Sequence, residues 1–330
     1  MKSLLRRSIG FARRYPWLLP AGSFVAGWVG FVLVQRGEAV ARLMALLALV
    51  GWLWLLIEPW LRQRLERRRR HVGNFVVNFV SQSLQQELLF FSLPLLIGAT
   101  QWDVGQITFT TLVAAAALLS TIDPLYERLV AKRAARRMSF HAFCSWIAAL
   151  VVLPMVLLVP LERALPISLL AVGGWLLLTL PLSLYSLPRW RTKIVWVVGM
   201  IGVPLLLWEL RAQLPPAGLA VTDARVTQTI DNHTPGVPVV RLRQQDLAQG
   251  VIAFAAIRAP AGLSQQVIFE WRHNGERERI PIEIQGGRAE GFRAYSRKHV
   301  FPADPAGLWT VDVLTPQEQL LERLRFVVEG

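Results

Sequence analysis

The strongest constraint on this chain is a series of long apolar stretches joined by connections of alternating charge. A helix needs about 20 mainly apolar residues, rising 1.5 Å each, to cross the hydrocarbon of a bilayer. Seven stretches meet that length roughly: 17–34, 39–57, 75–99, 106–122, 140–159, 164–185 and 194–210. Pro94, Pro154, Pro181 and Pro204 interrupt several of them, which membrane helices tolerate when neighbours satisfy the freed carbonyls. The expected fold class is therefore a membrane α-helical bundle of about seven spans over residues 1–214. A linker at 215–218 would lead into an all-β domain over 219–330.

Charge supplies the expected orientation. From Leu219 onward every Arg or Lys is matched by an Asp or Glu, so the whole net charge of +14 resides in the apolar part. Basic excess on a soluble face would suggest nucleic acid, but here it lies in short loops, and no nucleic-acid partner is expected. One set of connections is strongly basic: Lys2 to Arg14, Arg62 to Arg70, Arg128 to Arg137, and Arg189 to Lys193. The alternate set carries little beyond Arg36, Glu38, Asp103, Glu162 and Arg163. Basic loops stay in the cytoplasm, which predicts a multi-pass protein of a bacterial inner membrane. Its N-terminus would be an uncleaved cytoplasmic first helix, and everything after Arg211 would be periplasmic. The basic loops would meet anionic lipid headgroups, each Lys or Arg contributing about 1 kcal/mol.

A weak repeat marks the cytoplasmic ends. Ile57-Glu58-Pro59-Trp60 and Ile122-Asp123-Pro124-Leu125 each lead into a basic stretch. An acidic residue before Pro reads as a helix N-cap with Pro in the first turn.

The third span departs from plain hydrophobicity. Asn74, Asn78, Ser81, Gln82 and Gln85 recur at helical spacing and form one polar stripe, with Glu87 following deep in the span. An ionisable group at that depth suggests a partner or a water-filled cavity. Amides and hydroxyls also bind helices to one another, at about 0.6 kcal/mol per contact, so both readings stand. His141, Cys144 and Ser145 share a face of the fifth span. One His with one Cys falls short of a metal site, and no metal or cofactor is expected. Cys144 is the single cysteine, so no disulfide forms within the chain.

After Pro215-Pro216 the pattern changes to short alternating runs, which predicts strands at 220–229, 250–257, 265–272, 279–284, 291–299, 309–314 and 321–328. Asn274-Gly275 is a strong two-residue hairpin turn. Seven such strands suit an immunoglobulin-like or fibronectin-like sandwich with Trp271 and Trp309 in its core. Arg293, Tyr295 and Arg297 fall on one strand face, with Arg272 and His273 as possible neighbours. Guanidinium groups beside an aromatic ring can recognise carboxylate, phosphate or sugar, and can equally pair with Glu270, Glu283 or Glu290.

The run Trp271 to Gly275, then Arg293 to Lys298, then Gly307 to Val311, resembles the bacterial module catalogued as domain of unknown function 2914. The whole layout is similar to proteobacterial multi-span membrane proteins that carry that module. The resemblance implies an envelope location and carries no chemistry over. The five histidines are dispersed, and no HExxH, GxSxG, P-loop or Gly-rich dinucleotide motif occurs. The leading expectation is a non-enzymatic envelope protein whose exported domain recognises a protein, glycan or lipid. The alternative is a transporter, a lipid-handling protein or a membrane-embedded transferase built on the polar third span.

Overall fold

The computed structural model describes residues 71–101 and 105–330 continuously, with positions 25, 46, 49, 50, 53, 54, 57, 58, 60, 61 and 64 before them. The expected spans 17–34 and 39–57 otherwise lie outside the described residues. The chain is helical in its first part and a β-sheet domain in its last. It divides into two compact units. One comprises Met1–Leu95, Thr111–Val156 and Pro166–Leu206; the other comprises Leu96–Thr110, Leu157–Leu165 and Leu207–Gly330.

The continuously described helices are α1 (His71–Ala99), α2 (Gln106–Thr121), α3 (Asp123–Tyr126), α4 (Ala134–Val156), α5 (Leu161–Leu178), α6 (Leu180–Ser186) and α7 (Trp190–Glu209). Three of the described helices are long and apolar enough to cross a membrane: Ala135–Met155, Leu161–Leu178 and Trp190–Glu209. A fourth arises if Gln106–Thr121 and Pro124–Ala131, bent by 103°, count as one broken span. Helix α1 is not among them despite its 29 residues, because the amides of its first half dilute its hydropathy. The expected span 164–185 breaks at Thr179. Pro181 cannot donate to the Leu177 carbonyl four residues back, while the Thr179 amide and hydroxyl both donate to the Trp175 carbonyl, at 3.0 and 3.1 Å. Pro124 acts in the same way between α2 and α3, after which Glu127–Ala131 forms a π-helical turn.

The second unit contains ten strands: β1 (Ala220–Thr227), β2 (Ile230–Asp231), β3 (Thr234–Pro235), β4 (Arg241–Arg243), β5 (Val251–Arg258), β6 (Ser264–His273), β7 (Glu276–Gln285), β8 (Phe292–Lys298), β9 (Gly307–Leu314) and β10 (Leu320–Glu329). They form a three-stranded sheet, β1-β5-β8, a five-stranded sheet, β4-β10-β9-β6-β7, and the small β2-β3 ribbon. All pairs are antiparallel except β4 with β10. The hairpin β6-β7 turns at Asn274 and Gly275, with φ of 46° and 86°. Two positive φ angles define the turn whose twist suits a two-residue hairpin, and they favour Asn-Gly.

Alternation along the strands sends Val251, Ala253, Ala255 and Ile257 of β5 into one core with Val267, Phe269 and Trp271 of β6, Val311 and Val313 of β9, and Phe326 of β10. Both sheets therefore share a single apolar interior. The Trp271 indole also donates to the Ser296 hydroxyl of β8 at 3.0 Å, joining the sheets through a satisfied polar bond. Trp309 is buried too, its ring stacked on His273 with centroids 4.2 Å apart.

Two helical-region connections belong to this unit. The Gln101 side chain donates to the Leu321 carbonyl at 2.6 Å and Gln106 donates to the Leu320 carbonyl at 3.0 Å. The Leu161 amide donates to the Gln265 side chain at 2.9 Å, and Gln317 donates to the Glu162 carbonyl at 3.1 Å.

Truncating Trp271 to Ala removes the largest fully buried side chain and the donor to Ser296. The expected cost is about 3–5 kcal/mol, checked by thermal unfolding of the detergent-solubilised protein followed through resistance of residues 219–330 to proteolysis.

Candidate functional site

The helical unit buries a chain of four polar side chains drawn from four segments. Glu58, Gln85 and His141 are each 0% exposed, and Tyr126 is 6% exposed. Tyr126 donates its hydroxyl hydrogen to Gln85 Oε1 at 2.8 Å. The Gln85 amide nitrogen meets His141 Nδ1, and His141 Nε2 lies 2.9 Å from Glu58 Oε2. With the amide nitrogen facing it, Nδ1 accepts, so Nε2 carries the hydrogen donated to the Glu58 carboxylate. The donors run in one direction, from the Tyr126 hydroxyl through the amide and imidazole to the carboxylate.

Packing fixes these groups. The His141 ring stands edge-on to Trp175 at 6.3 Å and 88°, and Tyr126 is edge-on to Phe140 at 6.0 Å. Gln85 reaches the chain because α1 presents a residue to the same side every three to four positions. On that side Ser81 is buried and accepts from the Trp54 indole at 3.4 Å, while Gln82 donates to the Ser120 carbonyl at 3.1 Å. Ser145, one turn beyond His141, and Gln86 also bury polar atoms that have no hydrogen-bond partner among the described residues.

Of the expected intramembrane residues, Ser81, Gln82 and Gln85 thus point into the helical unit. The side chains of Asn74 and Asn78 lie outside the described residues. Glu87 is exposed, because two residues beyond Gln85 is a rotation of about 200° around the helix. The ionisable group that joins the stripe is instead Glu58. Its N-cap reading does not hold: Glu58 lies in helical conformation with its carboxylate on His141. A usable signal was present, since an isolated acid and an isolated His, each in an apolar stretch, are costly unless they meet.

The expected recognition face separates. Arg293, Tyr295 and Arg297 lie on β8 in the three-stranded sheet, whereas Arg272 and His273 lie on β6 in the five-stranded one. Arg293 pairs with Glu290 at 3.2 Å and donates to Thr234 at 3.3 Å. Tyr295 is 38% exposed and tilted against His233, and Arg297 is exposed. His273 is buried, with its ring nitrogens 3.3 Å from the Leu308 and Asp304 carbonyls.

Arg272 belongs to a charge ladder across the outer side of the five-stranded sheet. Register places Arg279 of β7 opposite Glu270 of β6, Glu270 opposite Asp312 of β9, and Asp312 opposite Arg323 of β10. Both carboxylates are fully covered. Arg272 bridges them, bonding Glu270 and lying 3.1 Å from Asp312. Arg323 grips Asp312 through two bonds of 2.6 and 2.9 Å. Burial alone would push the Glu270 carboxyl up, but hydrogen bonds from Arg279 and Arg272 outweigh it and hold the group below the usual carboxylate range. Arg279 is raised in return, chiefly by its bond to Glu270.

A family model described as a family of unknown function, DUF5924, matches residues 1–253. The chain belongs to the DUF5924 family. A second model, a protein of unknown function described as DUF2914, matches residues 264–328. All four residues of the buried polar chain lie within the DUF5924 match. The ladder lies wholly within the DUF2914 match. No curated protein and no solved structure matches this DUF5924 chain.

Two outcomes follow. Tyr126→Phe leaves the Gln85 carbonyl without that donor and should cost about 1 kcal/mol, the usual net worth of a protein hydrogen bond, as read by chemical unfolding of the purified protein. Because folding depresses the Glu270 pKa, its stabilisation is complete above the unfolded value of about 4.3 and fades as pH falls through the lower folded value. The stability gap between wild type and Glu270→Gln, on the order of 2 kcal/mol at neutral pH, should therefore close in that acid range when thermal unfolding is compared across pH.

Proposed function

We propose that this chain is a multi-pass protein of a bacterial inner membrane, with seven spans, a cytoplasmic N-terminus and a periplasmic immunoglobulin-like domain that acts by binding rather than catalysis. One observation carries the reading. The two poorly charged connections, 96–110 and 157–165, are built into the β unit by hydrogen bonds. The basic connections around Arg128 to Arg137 and Arg189 to Lys193 fall within the helical unit. On this reading, connections that share a unit with the C-terminal domain share its side of the bilayer, and the basic connections, whose charge would retain them in the cytoplasm, do not join that unit. The grouping of the poorly charged connections with the β unit supports the charge rule without depending on it.

The strand order supports the immunoglobulin-like reading. β1-β5-β8 corresponds to strands A, B and E of such a domain, and β10-β9-β6-β7 to G, F, C and C′, with a buried Trp on strand C. The apolar interior does the work that a disulfide between sheets does in antibody domains. The face of β8 carrying Arg293, Tyr295 and Arg297 is the surface offered to an anionic envelope partner or glycan, while Arg272 and His273 are engaged in packing and pairing. Anionic headgroups would gather at the basic connections.

A second reading, a transporter or lipid-handling protein, is favoured by the buried polar chain, since paired ionisable groups between membrane helices often line substrate or proton paths. On this reading Gln85, not Glu87, is the residue of α1 that matters.

The topology is tested with single cysteines introduced into a Cys144→Ala background in intact cells. Gln317→Cys and Arg163→Cys should react with an impermeant maleimide in spheroplasts, and Arg133→Cys only after lysis. Labelling of Arg133→Cys before lysis would overturn the orientation.

A further inference from the structure

We infer that Glu58 and His141 form a proton-binding site inside the helical unit, and that the Gln85 amide transmits its occupancy to Tyr126. The inference rests on the membrane reading above. In the observed arrangement His141 Nδ1 accepts from Gln85 and Nε2–H donates to Glu58. A further proton has two places that engage this bond. On the imidazole it makes Nδ1 a donor, and the ion pair with Glu58 compensates the charge. On Glu58 Oε2 it donates to Nε2, and the ring hydrogen moves to Nδ1. Both leave Nδ1–H needing an acceptor where the Gln85 nitrogen now stands. A primary amide has a donor end and an acceptor end, so Gln85 must turn over, presenting its oxygen to Nδ1 and its nitrogen to Tyr126. The Tyr126 oxygen then accepts rather than donates, and its hydrogen must find another acceptor.

Tyr126 is well placed to convert that reversal into movement. It is the last residue of α3 and immediately precedes the π-helical turn Glu127–Ala131, in the segment bent by 103° from α2. Single π-type turns occur frequently at functional sites. This one leads into the basic connection, where Arg136 donates to the Arg128 carbonyl and Arg137 to the Ala131 carbonyl. A proton taken up between the helices is thereby expressed at the cationic loop. The groups that face the pair, among the described residues, are Gln85 of α1, Tyr126 of α3 and Trp175 of α5. On α4 itself Arg137 lies one turn before His141 and Cys144 one turn after it.

The test uses the full-length protein in nanodiscs with ¹⁵N-labelled histidine, His141→Asn identifying the His141 signals. Across a pH titration of the sample, His141 should pass from the Nε2–H tautomer to a state with hydrogen on Nδ1. Glu58→Gln should move that passage to lower pH. In a Cys144→Ala, Arg133→Cys background, maleimide reactivity divided by that of an Arg191→Cys control at each pH, which removes the change in thiolate fraction, should follow the same midpoint, and this ratio should lose its pH dependence in Gln85→Leu and in the milder Tyr126→Phe. A His141 ring unchanged across the titration, or a pH-dependent Arg133→Cys to Arg191→Cys ratio that survives both substitutions, overturns the proposal. Carbonate extraction of the same membranes separates the two readings: a released chain defeats the membrane reading, whereas the ring signals still report on the pair.

Discussion

A charged or polar group withdrawn from water must be given partners, and this rule organises both units. Leaving one partner of a buried pair alone costs more than the pair itself is worth, so such groups come as connected sets. In the helical unit the set is Tyr126, Gln85, His141 and Glu58. In the β unit it is Arg279, Glu270, Arg272, Asp312 and Arg323. The first set ties together segments far apart in sequence; the second ties four neighbouring strands and fixes their register. A one-residue slip of β9 against β6 would send Asp312 into the apolar interior and Val311 or Val313 out of it.

The two sets differ in what they leave open. The ladder opposes three guanidinium groups to two carboxylates with redundant bonds, and changing one contact leaves the others in place. Among the described contacts, the chain between the helices links each amide or ring nitrogen to the next, so that reversing the role of one reverses the next. Redundancy suits a scaffold. Direction-coupled donors suit a device with two states.

Much of the β unit was legible in the sequence, because period-two alternation reports directly which side of a strand meets a core. The seven long strands, the Asn274-Gly275 hairpin and the interior positions of Trp271 and Trp309 all follow from that pattern. The strands β2, β3 and β4 escaped it, since two or three residues are too few to show a period. In the helical part, apolar length located α4, α5 and α7, but composition alone does not place the breaks at Thr179 and Pro124. The polar stripe on α1 was visible from Ser81, Gln82 and Gln85. Its meeting with His141 and Glu58 was not, because side chains 56 and 83 residues apart along the chain leave no periodic trace. Glu58 was further disguised by Pro59, which made an ordinary helix start the simpler account. Arg272 and Arg293 looked alike in sequence and differ only because β6 and β8 belong to different sheets.

Gln101, Gln106 and Leu161 leave the ribosome well before the strands that receive them. Until β6 and β10 arrive, the polar groups of Gln101, Gln106 and Leu161 must be served by water or by a chaperone, since their partners follow them by more than a hundred residues. Assembly of the β unit therefore draws in the 96–110 and 157–165 connections only once the strands are made. Without β10, the side chains of Gln101 and Gln106 would have no carbonyls at Leu321 and Leu320 to receive them.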